Sequence, residues 1–109
     1  MGITKTDLFT QKQNDLANMA KVFAHPARIA IIEYLLASAQ CINSDLVHEL
    51  GLAQATISQH LKELKQMGII KGTVTGTSMC YCIDQEVWEK VKGDFDQLFN
   101  KYDPQKLCC

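Results

Sequence analysis

Two runs of helical periodicity, one capped at Asn43 or Ser44 and running to about Leu50, the other from about Ala53 to Met67, are separated only by a short turn containing Gly51. In the first, Leu46, Val47 and Leu50 face inward. In the second, Ile57, Leu61 and Leu64 form one stripe and Gly68 takes the C-terminal cap position. Two short helices joined so closely have few ways to bury both stripes, and the spacing is the sequence form of a helix-turn-helix.

The flanking segments complete the unit. Residues 7 to 23 put Leu8, Leu16, Met19, Ala20 and Phe23 at spacings compatible with one helical stripe. His25-Pro26 breaks that helix, and Pro suits the first turn of a second one, expected to run to about Ser38 and apolar on most sides. From Ile69 to Ile83 the period changes from helical to alternating, with β-branched residues on both sides of Gly76, which predicts a β-hairpin with its tip near Thr75 to Ser78. Asp84 then caps a last helix to about Tyr102, in which Val87, Val91, Phe95, Leu98 and Tyr102 recur at three- and four-residue steps before Asp103-Pro104 stops it. The expected fold is mainly α with a small β-hairpin wing: a winged helix-turn-helix of order α-α-α-α-β-β-α. It fills residues 1 to 109 as a single domain, with 1–6 and 104–109 as flexible ends.

A chain of 109 residues supports one hydrophobic core. No apolar run approaches the roughly 18 residues needed to cross a bilayer, and the N-terminal decapeptide lacks the apolar centre of a secretory signal, so no membrane association and a cytoplasmic location are expected. There is no Gly-rich phosphate loop, no His-Glu-Xaa-Xaa-His and no nucleophile with a partnered base, which argues against an enzyme; no cofactor is required. The net charge of −1 is uninformative, but Lys62, Lys65 and Lys71 stand against Glu63 alone between residues 62 and 71, while acids gather near the C-terminus.

With Ile57, Leu61 and Leu64 turned to the core, the second helix of the pair leaves Gln54, Thr56, Ser58, Gln59 and Lys62 on its open side. These short polar types hydrogen-bond base edges in a major groove, Gln pairing bidentately with adenine, and a solvated helix face is the bland alternative. Arg28 and Lys71 are candidate phosphate ligands, a surface or packing role being the bland alternative; the hairpin adds Thr73, Thr75 and Thr77. His60 lies beside the apolar stripe, either as a buried structural histidine or as a base contact.

The segments Leu52–Leu64 (LAQATISQHLKEL), His25–Ile29 (HPARI) and Gly76–Ile83 (GTSMCYCI) resemble the corresponding motifs of the ArsR/SmtB repressors, a likeness covering roughly residues 15 to 100. The resemblance implies a homodimer formed through the first and last helices, which retain apolar faces, and binding to a double-stranded DNA operator. Two recognition helices about one DNA turn apart predict an imperfect inverted repeat. Three departures stand out. Ala53 occupies the position where related proteins commonly place a capping Ser; the wing tip reads Gly-Thr where Gly-Arg is frequent; and the usual family metal sites lack ligands, Ile42 and Ser44 replacing a third-helix Cys-Xaa-Cys and the last helix having no His.

Five cysteines remain, read as reduced thiols. On a strand Cys80 and Cys82 face the same way, opposite Met79, Tyr81 and Ile83, so they can present two thiolates to one soft ion, with Cys41 or the tail pair Cys108 and Cys109 supplying a third. As(III) or another thiophilic metal ion would suit such a site as effector. Reversible thiol oxidation is the rival signal, and small thiols filling a strand face the bland reading. The chain is therefore expected to be a repressor with a thiol-dependent effector, the alternatives being a thiol-redox-sensing repressor or a winged-helix protein-interaction module that binds no DNA.

Overall fold

A computed structural model describes residues 8–38, 46–76 and 78–106, with the side chains of Thr75 and Ser78 excepted. The proposed cap Asn43 or Ser44, the wing residue Thr77 and the cysteines Cys41, Cys108 and Cys109 lie outside the described residues.

The first helix, α1 (Gln11–Val22), starts later than its apolar spacing suggests. Thr10 closes a capping box: its Oγ1 accepts from the Gln13 N–H at 3.1 Å, and Gln13 Oε1 accepts from the Thr10 N–H at 2.9 Å. That reciprocal pair satisfies donors which a helix beginning at residue 7 would have to satisfy internally, and it leaves Leu8 outside the helix and exposed. The buried residue of α1 is Val22, with Met19 and Phe23 packed beside it. In α2 (Pro26–Ala37), Pro26 sits in the first turn and the His25 ring caps the helix, Nδ1 accepting from the Ala27 N–H at 3.1 Å. Ile31, Ile32 and Leu35 carry this helix through the centre of the core.

The helix-turn-helix consists of α3 (Leu46–Leu50) and α4 (Gln54–Gln66). Gly51 turns the chain between them with φ +69°, a left-handed conformation that L side chains rarely adopt. Ala53 stands at the N-cap of α4 in an extended conformation and makes no side-chain cap. Ala53→Ser should therefore stabilise the protein by about 1 kcal/mol, read as a raised urea midpoint at unchanged m-value; an unchanged midpoint would mean that the first-turn N–H groups are already satisfied.

After α4 the chain reverses at Gly68 (φ +83°), where the Ile69 N–H returns to the Leu64 carbonyl at 3.1 Å and the Gly68 N–H to the Lys65 carbonyl at 3.0 Å. Ile69 and Ile70 go directly into the core. Strands β1 (Ile70–Thr75) and β2 (Ser78–Ile83) pair antiparallel in the register Ile70 with Ile83, Gly72 with Tyr81 and Thr75 with Ser78. At the base of the hairpin the Asp84 N–H donates to the Ile69 carbonyl at 2.9 Å, and Asp84 Oδ1 accepts from the Val87 N–H at 3.2 Å to open α5 (Gln85–Phe99). Phe23 meets the edges of Trp88 and Phe95, with ring centroids 6.1 and 6.5 Å away, fastening the end of α1 to α5. Val91 is the buried residue of α5; Leu98 and Phe99 in its last turn, and Tyr102 just beyond, remain exposed. The winged helix-turn-helix order expected from the sequence is the observed one. No helix among the described residues is long and apolar enough to cross a membrane.

Candidate nucleic-acid interface

The two sides of α4 divide sharply. Ile57, His60, Leu61 and Leu64 are buried against the rest of the domain, while Gln54, Thr56, Ser58, Gln59 and Lys62 are exposed together on the other side. An α-helix held by one apolar stripe projects its opposite face outward as a fixed row, which is what insertion into a groove requires. Two of these side chains are already oriented within the helix: Gln54 Nε2 donates to Ser58 Oγ at 3.0 Å, and Gln59 Nε2 donates to Glu63 Oε1 at 2.9 Å.

Beneath that face lies a polar cluster which the sequence reading did not assemble. His60 is 8% exposed. Its Nδ1 accepts from Arg28 Nε at 3.2 Å, which settles the histidine's two readings in favour of a structural role. The same guanidinium donates through Nη1 to the Val22 carbonyl at 3.5 Å and pairs through Nη2 with Glu63. Arg28 thus joins α1, α2 and α4, and its side chain is only 18% exposed. The His25 ring lies 4.5 Å from that of His60. Burial first, then the neighbouring His25 and the Arg28 charge, hold the His60 imidazole below the usual histidine range and so keep it neutral near pH 7. One sequence signal for the cluster existed, Glu63 being the single acid in a stretch of lysines at i+4 from Gln59 and i+3 from His60.

The hairpin carries the remaining candidates. Tyr81 and Ile83 pack on the core, so β2 turns Cys80 and Cys82 to the other side, across from Thr73 and Lys71, both exposed. Cys82 is a free, half-buried thiol. Cys80 is disulfide-bonded, which corrects the expectation of reduced thiols throughout. Among the described residues no group of three or more His, Cys, Asp or Glu side chains is assembled to hold a metal ion. Along the chain, α4 and the wing are joined by Met67, Gly68 and Ile69, and β1 packs directly on α4.

The sequence model for the bacterial regulatory protein arsR family matches residues 25–71, which span α2, the helix-turn-helix and the start of the wing. An HTH-type transcriptional regulator of Methanocaldococcus jannaschii is 34% identical over 83 residues, 75% of this chain and 93% of that protein. The HTH-type transcriptional repressor SmtB of Mycobacterium tuberculosis is 38% identical over 63 residues, 58% of this chain and 46% of the repressor. In fold, the structure of an ArsR-like transcriptional regulator from Rhodococcus sp. RHA1 superposes with a TM-score of 0.71 at 18% identity, covering 84% of each chain.

Proposed function

The chain belongs to the ArsR family of bacterial regulatory proteins, DNA-binding transcriptional repressors and not enzymes, and from that premise we propose a cytoplasmic homodimer that sets α4 into successive major grooves of an inverted-repeat operator. The observation that carries this reading is the exposed row Gln54, Thr56, Ser58, Gln59 and Lys62 on a helix whose other face is core. Gln59 and Gln54 read base edges, Thr56 and Ser58 adapt to edges or phosphate, and Lys62 and Lys71 neutralise phosphates. Thr75 and Thr77 complete the wing contact. Leu8, Phe9, Leu98, Phe99 and Tyr102, apolar and exposed around α1 and α5, supply the dimer face, which sets the two reading helices about 34 Å apart.

Salt-controlled binding to fragments of its own upstream region tests the proposal. Gln59→Ala should relax sequence preference, costing about 1–3 kcal/mol on the matched site only, whereas Lys62→Ala should weaken all duplexes alike and lower the salt slope by about 1. Affinity no better than for random duplex at moderate salt would favour the protein-interaction module instead.

The signal acts, in this reading, at the wing thiols. Cys80 and Cys82 share a strand face with Lys71 and Thr73, so chemistry at sulfur changes the surface offered to the backbone of DNA. An oxidant is one such signal, taking two electrons and two protons from a pair of thiols to leave a disulfide. When reduced, Cys80 and Cys82, with Cys41 or the tail cysteines Cys108 and Cys109, offer thiolates to As(III) or another thiophilic ion. The binding assay separates these signals: release by a thiol oxidant, or by arsenite, cadmium or zinc added to reduced protein, that survives serine replacement of Cys80 and Cys82 would refute the wing as sensor.

A further inference from the structure

A continuous polar chain runs from the core to the open face of α4. It begins at the His60 imidazole, passes through Arg28 Nε, leaves the guanidinium through Nη2 to Glu63, and ends at the Gln59 carboxamide on Glu63 Oε1. We propose that Arg28, Glu63 and His60 are positioning residues for Gln59, fixing which end of its carboxamide meets the base, and that a proton on His60 releases that hold. The proposal rests on the reading of α4 as the groove-binding helix.

The chemistry of the links gives each its part. A carboxamide has an acceptor oxygen and two N–H donors, and by shape alone it can sit either way round. A carboxylate only accepts, so Glu63 selects the orientation in which Nε2 points toward it. That leaves Oε1 and the second N–H of Gln59 directed away from the protein, the donor and acceptor pair that matches the N6 and N7 edge of adenine. Glu63 is held in turn by Arg28, and Arg28 by two groups that do not titrate near neutrality or must be neutral: the Val22 carbonyl and His60 Nδ1. In neutral His60 the proton is on Nε2 and Nδ1 accepts from Arg28. In the imidazolium Nδ1 carries a proton, so two donors and two positive charges face one another and the link breaks. The titratable or charged groups around His60 are His25 ahead of α2, Arg28 on α2 and Glu63 on α4, while Lys21 of α1 lines the same shallow cavity as Arg28 and Glu63. His25 and Arg28 oppose a proton on His60, as its burial does. The release therefore belongs to mildly acidic conditions, below the usual histidine range.

This gives Arg28 a place other than on the phosphates: most of its donors are spent inside the protein. A phosphate ligand and a positioning residue predict different losses when altered.

The test measures the preference of the full chain for its upstream operator fragment over random duplex at constant salt. Glu63→Gln and Arg28→Lys, each checked for folding by thermal melting, should lower that preference about five- to tenfold while sparing random-duplex affinity. In a Gln59→Ala background the same substitutions should do nothing more, since the group they orient is gone. Between pH 8 and pH 5.5 the wild-type preference should fall. In His60→Asn, whose Oδ1 keeps an acceptor facing Arg28 but cannot take the proton, it should stay level. A loss from Glu63→Gln that persists in full without Gln59, a loss from Arg28→Lys on random duplex as large as on the operator, or a wild-type preference independent of pH would overturn the proposal. A wild-type chain with no preference for the operator would instead overturn the DNA-binding reading beneath it, so the two failures are distinct.

Discussion

A chain carrying both Leu98→Asp and Phe99→Asp should remain folded, sediment as a monomer and hold its operator at least about 100-fold more weakly than the parent. Both side chains are exposed, 46% and 64%, so neither is part of the core that keeps α5 in place; Val91 is. Two carboxylates near the C-terminus of α5 oppose its dipole, at about 0.3–1 kcal/mol each, a cost that leaves the domain folded. Across a two-fold interface each Asp would meet apolar surface and, by symmetry, the same charge on the partner. The large effect comes from DNA rather than from folding. With two reading helices on one body, binding of the second half-site is intramolecular, and separating them forfeits that advantage of two to four orders of magnitude. Sedimentation velocity combined with operator titration checks both halves of the expectation. A variant that stays dimeric would move the interface away from the end of α5, and a monomer with undiminished affinity would remove the dimer from the binding account.

Leu64→Ala is expected to act through the opposite face of the reading helix, lowering unfolding free energy by about 3–5 kcal/mol. Leu64 has no exposed surface and belongs to the core cluster, on a helix that packs against both α2 and β1. Its carbonyl also receives the Ile69 N–H that turns the chain into the wing. Removing three carbons there leaves a cavity that the surrounding helices cannot fill without shifting α4 itself. For a domain whose total stability is of order 5–15 kcal/mol, that is a large fraction, visible as a fall in melting temperature of about 10 °C or more. Gln59→Ala, on the exposed side of the same helix, should leave the melting temperature within about 2 °C of the parent. A loss from Leu64→Ala below about 1 kcal/mol would mean that the site collapses freely.

How much of this was legible in the chain depended on the range of the interaction. The stripe Ile57, Leu61 and Leu64 and the exposed row opposite it are consequences of one helical period, and both are found as expected. The hairpin followed from the change of period on either side of Gly76, whose φ of +64° is the turn conformation that residue type suits. The start of α1 was misjudged because apolar spacing outweighed a local signal: Thr10 and Gln13 stand in the capping-box pattern, and the box, rather than Leu8, begins the helix. Likewise Val22, absent from the expected stripe, is the buried residue of α1, because Phe23 turns toward Trp88 and Phe95 instead. The link between Arg28 and His60 spans 32 positions and exists only once α2 crosses α4, so no local pattern announces it. The disulfide at Cys80 is of the same kind: spacing shows which way a strand cysteine points, not whether its sulfur has a partner.

The junction between α4 and β1 bears on how a signal would travel. Met67, Gly68 and Ile69 are the whole connection, Ile69 and Ile70 are sealed in the core, and the Asp84 N–H pins the far strand's exit to the Ile69 carbonyl. There is no slack in such a joint. In hydrogen exchange the amides of α4 and those at the hairpin base should open as one unit, with a common free energy, because neither can leave the core while the other stays. In the reading proposed above, a change made at the sulfur atoms of β2 would need no relay of further elements to reach α4, because β2 pairs with β1 and β1 packs directly on that helix.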